Sequence, residues 1–321
     1  MKNKKILYWS IVVALAGFLF GFDTVVISGA DKQLQQLWGS SDLYHGLVVM
    51  SSALWGTVIG AIFGSYPTNI LGRKKTLIII GLLFFISAIG TAFATDSIIF
   101  SIFRFLGGIG IGASTIAAPT YVSEIAPAKD RGKLVALFQF NIVFGILVAY
   151  LSNYFLRGVG GSNDWRWMLA VLLVPSLIYT FMAVGLPESP RWLLSVKGDE
   201  AAARKNLVAV GVENIEETIQ EINAANAQEK SFGSANLFTK HHVKIISLAF
   251  FIAFFNQASG INFLLYYAPR ILEEAGFAKD NSLLSSISIG MMNLVFTFVG
   301  LWLIDRIGRK TLLIIGSFGY I

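Results

Sequence analysis

Eight apolar stretches, each long enough to cross a lipid bilayer, limit what this chain can fold into more than any other feature. A bilayer core about 30 Å thick needs roughly 20 helical residues at a rise of about 1.5 Å each. Barrel strands of about 10 alternating residues do not fit stretches of this length. The sequence therefore predicts an all-α membrane protein with spans near Ile6–Ala30, Gly46–Leu71, Thr76–Thr95, Ser97–Ser123, Leu134–Leu156, Trp167–Leu186, Ile245–Pro269 and Leu283–Ile304, and a ninth that begins near Thr311.

The composition excludes several classes of protein. Hydrophobic residues make up 55% of the chain and charged residues only 14%, whereas soluble domains carry about 25% charged residues. A cytosolic enzyme, a disordered chain and a nucleic-acid-binding protein are excluded in spite of the net charge of +6. Because the chain has no Cys, a disulfide, a thiolate zinc site and a cysteine nucleophile are excluded, and three His leave little for metal or general-base chemistry. We expect no metal site, no cofactor and no catalytic residue.

The Lys and Arg residues of the connections predict an orientation. Of the 25 Lys and Arg residues, 19 fall on one side of the predicted membrane and 5 on the other, while Arg104 lies inside a span. Cytoplasmic connections are enriched in Lys and Arg, so we expect a cytoplasmic N-terminus in a multi-pass protein of the plasma (inner) membrane. The basic excess is then a topology signal that requires no anionic partner.

One segment, 187–241, lacks an apolar run and mixes Glu with Lys and Arg. Its pattern predicts two short amphipathic helices, at Ala201–Val210 and Ile215–Ala227. We interpret this segment as a cytoplasmic helical linker. It would join a six-span N-terminal bundle, 1–186, to a partial C-terminal bundle, 242–321.

A sequence repeat indicates that the two bundles are related. The run from Gly72 to Gly81, after the second span, returns from Gly308 to Gly316, after the eighth. Two parallel six-helix halves joined by a linker are the layout of major facilitator transporters, which hold their substrate near the midplane. Two sets of six make twelve spans, so we expect this sequence to be about nine spans of a longer chain, with a truncated C-terminal half.

Asp23 and Arg104 are the ionisable residues that lie well inside the predicted spans. An isolated charge at this depth is costly, so such residues usually face the bundle interior and pair. Each lies seven residues from the outer end of its own span, which places both roughly 10 Å below the outer surface. We therefore predict an ion pair between spans 1 and 4. The pair is either a static clamp or a proton-coupling site in which protonation of Asp23 releases Arg104.

Five segments together resemble the sugar porter family of the major facilitator superfamily. They are Phe20–Ala30, Arg104–Gly112, Pro119–Gly132, Pro187–Leu193 and Asn256–Tyr267. Each segment alone is a weak signal, but five in this order on the matching helices are specific. The resemblance covers nearly the whole chain and implies transport of a sugar.

The resemblance also implies a cytoplasmic charge network that holds the two halves together on the inner side. Its matching residues are Gly72, Arg73, Glu124, Arg131, Glu188, Arg191, Asp305, Arg306, Gly308 and Arg309. The alternative is that these charges only fix the topology. Asn69 and Ile70 stand where the second half has Asp and Arg, so we expect a weaker network in the first half.

Sugar hydroxyls are best bound by amide side chains, which donate and accept hydrogen bonds, and aromatic rings cover the apolar face of a sugar. The spacing of Asn262 and Tyr266 places both on one helix face. The family has a Gln where this chain has Asn256, and the shorter side chain changes its reach. The candidates that match the family's substrate-binding positions are Gln139, Asn256, Gln257, Asn262, Asn293, Phe20 and Tyr266; the alternative for the amides is hydrogen bonding between helices.

We therefore predict a secondary active transporter that imports a monosaccharide by alternating access together with a proton. A passive facilitator of the same fold and a sugar sensor that does not transport are the alternatives. A membrane enzyme would need an acidic metal cluster or a nucleophile with its base inside the bilayer, and the spans contain neither. The expected partners are the sugar, the proton and the lipid bilayer.

Overall fold

The computed structural model describes residues 4–126, 128–212, 214–231 and 240–319. These residues are folded mainly into α-helices, because apolar segments in lipid must satisfy their backbone hydrogen bonds internally. In chain order the helices are α1 (Lys4–Val26), α2 (Asp31–Trp38), α3 (Asp42–Tyr44), α4 (Ser52–Phe63), α5 (Ser65–Ile70), α6 (Arg73–Ala92), α7 (Ser97–Ile125), α8 (Ala128–Leu156), α9 (Asp164–Ala170), α10 (Leu173–Val184), α11 (Pro190–Trp192), α12 (Glu200–Val210), α13 (Ile215–Ser231), α14 (Lys240–Ala258), α15 (Ile261–Glu274), α16 (Lys279–Ile307) and α17 (Arg309–Gly319).

Eight segments of the described chain are long and apolar enough to cross a membrane, which confirms the predicted number of complete spans. They are Lys5–Gly29, Asp42–Phe63, Arg73–Ala92, Ser97–Ile125, Gly132–Leu156, Gly161–Val184, Val243–Glu274 and Lys279–Ile304. Because successive spans run in opposite directions, the starts of α1, α6 and α17 share one side of the membrane with helices α11 to α13. We call this side the basic face and the other the opposite face.

The first six spans pack into a bundle in which small residues allow close helix contacts. Helix α1 lies along α8, and both α4 and α6 pack on α7. A Cβ at Gly21 would overlap the carbonyl of Ile142 in α8, and a Cβ at Gly112 in α7 would overlap the carbonyl of Thr57 in α4. Glycine at these positions brings the backbones together, as is typical of helix interfaces in lipid.

The seventh span is interrupted, which the sequence analysis did not anticipate. Helix α14 ends at Ala258 and α15 begins at Ile261, whereas we predicted one continuous stretch over Ile245–Pro269. Gly260 has φ 79°, a left-handed conformation that glycine adopts without steric cost and that ends a helix. The side chains of α14 and those of α15 therefore do not follow one continuous helical periodicity.

Helices α15 and α16 make the contacts between the later spans and the first bundle. Helix α15 packs against the 3₁₀ turn Ile27–Gly29 and against α2, and α16 packs along α8. Helices α14 and α17 leave most of their side chains exposed. Between the two groups, α12 and α13 match the predicted amphipathic helices of the linker to within a few residues.

Candidate functional site

The predicted ion pair between α1 and α7 is present and buried. Arg104 Nη1 donates to Asp23 Oδ1 over 2.6 Å, and each residue is 1% exposed. Removing one partner of a buried pair leaves an uncompensated charge and costs about 3–5 kcal/mol. Each of the two buried charges therefore depends on the other for compensation.

Arg104 is also bound to the backbone at the end of α1. Its Nη2 donates to the carbonyl oxygen of Asp23 over 3.0 Å. The last four carbonyls of a helix lack intrahelical partners, and a cation near this end is favoured by the helix dipole. Asn153 of α8 fills a similar role, because its amide donates to the carbonyl of Val26 over 3.1 Å. The first helix is thus fixed at its end by two side chains from other spans.

The second carboxylate oxygen of Asp23 is buried and accepts no hydrogen bond from the described residues. The hydroxyl of Ser87 in α6 is likewise buried and unpartnered within the described chain. Both atoms lie beside Gly107, where a Cβ would be 3.5 Å from Asp23 Oδ2 and 2.5 Å from Ser87 Oγ. This oxygen of Asp23 is therefore available for a proton while the other remains bonded to Arg104.

Tyr266 of α15 brings the seventh span to the ion pair. It is 3% exposed, and its phenol lies within electrostatic range of both Arg104 and Asp23. The neighbouring backbone is tied to the first bundle, because Tyr150 of α8 donates its hydroxyl to the carbonyl of Leu265 over 2.8 Å. Movement of α15 would therefore change the surroundings of the pair.

Two predicted amides meet across the break in the seventh span. Asn262 at the start of α15 donates its amide to Gln257 Oε1 near the end of α14, over 2.6 Å. Asn262 and Tyr266 also line a cavity of about 240 Å³ between the second and seventh spans. The interruption of the helix brings these polar groups together.

The structure does not bring the remaining predicted substrate-binding residues into the same contact. Gln139 and Asn256 have exposed side chains, and those of Asn293 and Phe20 are partly buried. Their role in binding a substrate stays a prediction.

Two members of the predicted charge network, Arg73 and Glu124, pair within the first bundle. Arg73 forms two parallel hydrogen bonds with Glu124, from Nε to Oε2 over 2.9 Å and from Nη2 to Oε1 over 2.8 Å. Arg73 Nη1 also donates to the carbonyl of Thr68 over 3.1 Å and to Asn69 Oδ1 over 3.4 Å. Asn69 therefore still contacts this arginine in place of the missing carboxylate.

Other members of the predicted network lie apart from this contact. The side chains of Arg131 and Asp305 lie outside the described residues. Arg191, Arg306 and Arg309 are exposed, and Arg306 lies 4.0 Å from the ring centre of Trp302. Gly308 precedes α17 with φ 80°, as Gly72 precedes α6 with φ 97°, so the repeated sequence adopts the same backbone conformation twice.

Comparison with known proteins identifies the family. The family model described as "Sugar (and other) transporter" matches residues 9–321. A D-xylose-proton symporter of Escherichia coli is 35% identical over 97% of this chain and 69% of its own length. This chain belongs to the sugar porter family of the major facilitator superfamily. An arabinose-proton symporter of Bacillus subtilis is also 35% identical, over 96% of this chain and 67% of its own length.

Solved structures of sugar porters share the fold of this chain. The proton:xylose symporter XylE bound to 6-bromo-6-deoxy-D-glucose has a TM-score of 0.84 and 34% identity, over 96% of this chain and 70% of that chain. The partially occluded inward open conformation of XylE from E. coli has a TM-score of 0.83 and 33% identity, over 96% and 75%. This sugar porter is accordingly a multi-pass membrane transporter with the major facilitator fold.

Proposed function

We propose that this protein imports a monosaccharide across the plasma (inner) membrane by alternating access, together with a proton. The family assignment supports transport, and relatives named as D-xylose-proton and arabinose-proton symporters support a sugar with a proton. The observation that carries the proton-coupling part is the buried Asp23–Arg104 pair with one carboxylate oxygen left without a partner. The amides on either side of the break in the seventh span supply the polar wall for sugar hydroxyls.

In the proposed cycle, a proton binds to Asp23 Oδ2 and removes the negative charge that neutralises Arg104. The guanidinium then needs another partner, and the pair no longer holds α1 and α7 with the same strength. Tyr266 of the seventh span lies within electrostatic range of the pair, so movement of α15 would change the access of a proton from the opposite face to Asp23. Proton binding and opening of the site at that face would thereby be coupled.

The proposed orientation places the basic face in the cytoplasm. The 19 Lys and Arg residues predicted for that side, against 5 on the other, support it. Asp23 then lies on the outer side of the membrane core, where a proton arriving with an external sugar would reach it first.

The test is transport by the protein in proteoliposomes with an imposed pH gradient and a panel of pentoses and hexoses. We expect the Asp23→Asn variant to lose gradient-driven accumulation and to keep sugar exchange, because Asn retains a hydrogen-bond acceptor for Arg104 but cannot bind a proton. Asp96→Asn is the matched control. Asp96 caps α7 through hydrogen bonds from Ile98 N and Ile99 N, and Asn caps a helix equally well.

Each part of the proposal has its own contradicting result. Normal accumulation by Asp23→Asn would show that Asp23 does not couple the proton. Exchange without gradient-driven accumulation in the parent protein would identify a passive facilitator. Absence of both from the parent with every sugar would reject a monosaccharide as the substrate.

A further inference from the structure

A buried polar cluster lies at the opposite face, away from the Asp23–Arg104 pair. Asp31, at the start of α2, and His45, at the start of the second span, are each 1% exposed. His45 Nε2 lies 2.8 Å from Asp31 Oδ1. On the other side of the ring, His45 Nδ1 lies 3.4 Å from Ser40 Oγ. The imidazole is thus held by a hydrogen-bonding group at each nitrogen.

Arg270 joins this cluster to the seventh span. This residue of α15 donates from Nη1 to Gln35 Oε1 over 2.9 Å and to Asp31 Oδ2 over 3.4 Å. Gln35 is itself held, because its amide donates to Asp42 Oδ1 over 2.6 Å. Each oxygen of the Asp31 carboxylate therefore has its own partner, one from the first bundle and one from the later spans.

The backbone around His45 explains why the ring is fixed. His45 begins a π-helical turn, His45–Met50, which follows a short helix capped by Ser41. Single π-helical turns inside membrane or soluble helices are rare and occur frequently at functional sites. Here the turn places the ring against Asp31 and beside Ser40, before the regular helix α4 begins.

A second contact between the same elements differs in its exposure. Lys32 of α2 pairs with Glu273 of α15 over 2.8 Å, with side chains that are 35% and 20% exposed. Solvated pairs of this kind contribute little to stability. The Asp31 carboxylate, by contrast, is buried, and a buried charge that loses a partner is strongly unfavourable. We therefore expect the buried cluster, rather than the exposed pair, to limit the separation of α2 from α15.

We propose that His45 is a positioning residue for an outer latch formed by Asp31, Gln35 and Arg270. His45 holds one oxygen of Asp31 so that the other faces Arg270, and opening the transport site at this face requires Arg270 to leave both acceptors. The inference rests on the proposed alternating access, because the latch has a function only if α15 moves. It adds a control point that is separate from the proton-coupling pair.

The test uses a single cysteine beneath the latch. Ser28 is 4% exposed and lies in the turn Ile27–Gly29, against which α15 packs. The chain has no Cys of its own, so Ser28→Cys is a conservative reporter without background. Its rate of reaction with a charged maleimide is measured on the protein in lipid nanodiscs, where both faces are open to the reagent.

We expect His45→Phe and Arg270→Gln each to increase the rate of maleimide labelling at Ser28→Cys about tenfold, the ratio that corresponds to about 1.4 kcal/mol. His45→Gln should stay close to the parental rate, because its amide nitrogen can take the place of Nε2. Lys32→Gln is the matched control, since it removes the exposed contact between the same elements, and its rate should remain within about twofold of the parent.

Three outcomes would overturn the proposal. Parental labelling in Arg270→Gln would show that no latch is present, whether or not His45→Phe folds. Equal acceleration in His45→Gln and His45→Phe would show that the hydrogen bond to Asp31 is not what matters. Equal acceleration in Lys32→Gln would assign the effect to general loosening of α15. Labelling requires no sugar, so a failure of the proposed sugar import would appear in the uptake assay and not here.

Discussion

At the scale of single residues, the Glu188 carboxylate binds the backbone at the start of α6. Its Oε1 accepts hydrogen bonds from the backbone N–H groups of Arg73, Lys74 and Ser189, over 3.0, 3.1 and 2.9 Å. A carboxylate at the N-terminus of a helix is favoured by the helix dipole and by the free N–H groups there. Glu188 therefore fastens the linker to the start of α6, and it is Glu124 that pairs with the Arg73 side chain.

Gly72 leaves room for the contact between Glu188 and the start of α6, so its substitution can be used to test that contact. Its φ of 97° and ψ of 163° are essentially restricted to glycine, and a Cβ there would overlap Glu188 Oε2. We expect Gly72→Ala to lower the free energy of unfolding by about 3 kcal/mol, from backbone strain together with the displaced carboxylate. The thermal unfolding midpoint of the purified protein is the measurement.

Gly198→Ala is the control for backbone strain without a displaced carboxylate. Gly198 also has a positive φ, 66°, but nothing lies within 4 Å of its Cβ position. The substitution should cost only the left-handed conformation, about 1–2 kcal/mol. Equal losses for the two variants would show that the contact between Gly72 and Glu188 adds nothing to stability.

The Asp23–Arg104 pair could be predicted from the sequence, but its details could not. Rise per residue fixes the depth of a side chain in a membrane helix, and two lone opposite charges at one depth have few other partners. Whether the second oxygen of Asp23 has a partner depends on how α1, α6 and α7 pack around Ser87 and Gly107. The depth of a residue in the membrane does not determine this packing. The contacts of Glu188 with Arg73 and Lys74 join residues 115 and 114 positions apart and could not be predicted from the sequence either.

At the scale of helices, glycine contacts determine how closely the spans approach. Helix α4 lies against α7 at Gly112, where a Cβ would overlap both Thr57 O and Ala61 N. We expect Gly112→Ala to destabilise the protein by about 1–3 kcal/mol, the usual effect of overpacking. The midpoint of thermal aggregation in detergent would fall accordingly.

Gly132 provides the matched helical control for Gly112. It lies in α8 with nothing within 4 Å of its Cβ position. Alanine has the higher helix propensity by about 1 kcal/mol, so Gly132→Ala should be neutral or slightly stabilising. A loss as large as that of Gly112→Ala would mean that helix packing is not the cause.

The number and position of the spans followed from hydropathy because bilayer thickness sets a length that each segment must meet alone. The break in the seventh span could not be predicted in this way, because hydropathy is averaged over many residues and does not register a single non-helical turn. Ser259 and Gly260 were the available signal, because glycine commonly ends helices. The site amides meet at that break, so the least predictable element of the backbone positions Gln257 and Asn262.

At the scale of the molecule, the described polar contacts between the two groups of spans lie toward the opposite face. Arg270 and Glu273 of α15 bind the first bundle there, and Tyr150 contributes a third link. At the basic face, Arg306 and Arg309 are exposed.

The proposed orientation can be tested with cysteines, since the chain has none. Ser162 is exposed at the opposite face and Ser195 is exposed at the basic face. We expect a membrane-impermeant maleimide to label Ser162→Cys in intact cells, and Ser195→Cys only after permeabilisation. The reverse pattern would place the N-terminus outside and reject the proposed direction of proton entry.

Arg104 donates one hydrogen bond to the carboxylate of Asp23 and another to its peptide carbonyl. In the proposed cycle these two bonds have different fates. A proton on the carboxylate cancels one attraction, but the hydrogen bond to the peptide carbonyl does not depend on that charge. In the proposed cycle, Arg104 would therefore lose its charge partner but keep a hydrogen bond to the end of the first helix. Loss of the proton would then restore the negative charge of Asp23 within reach of the same guanidinium.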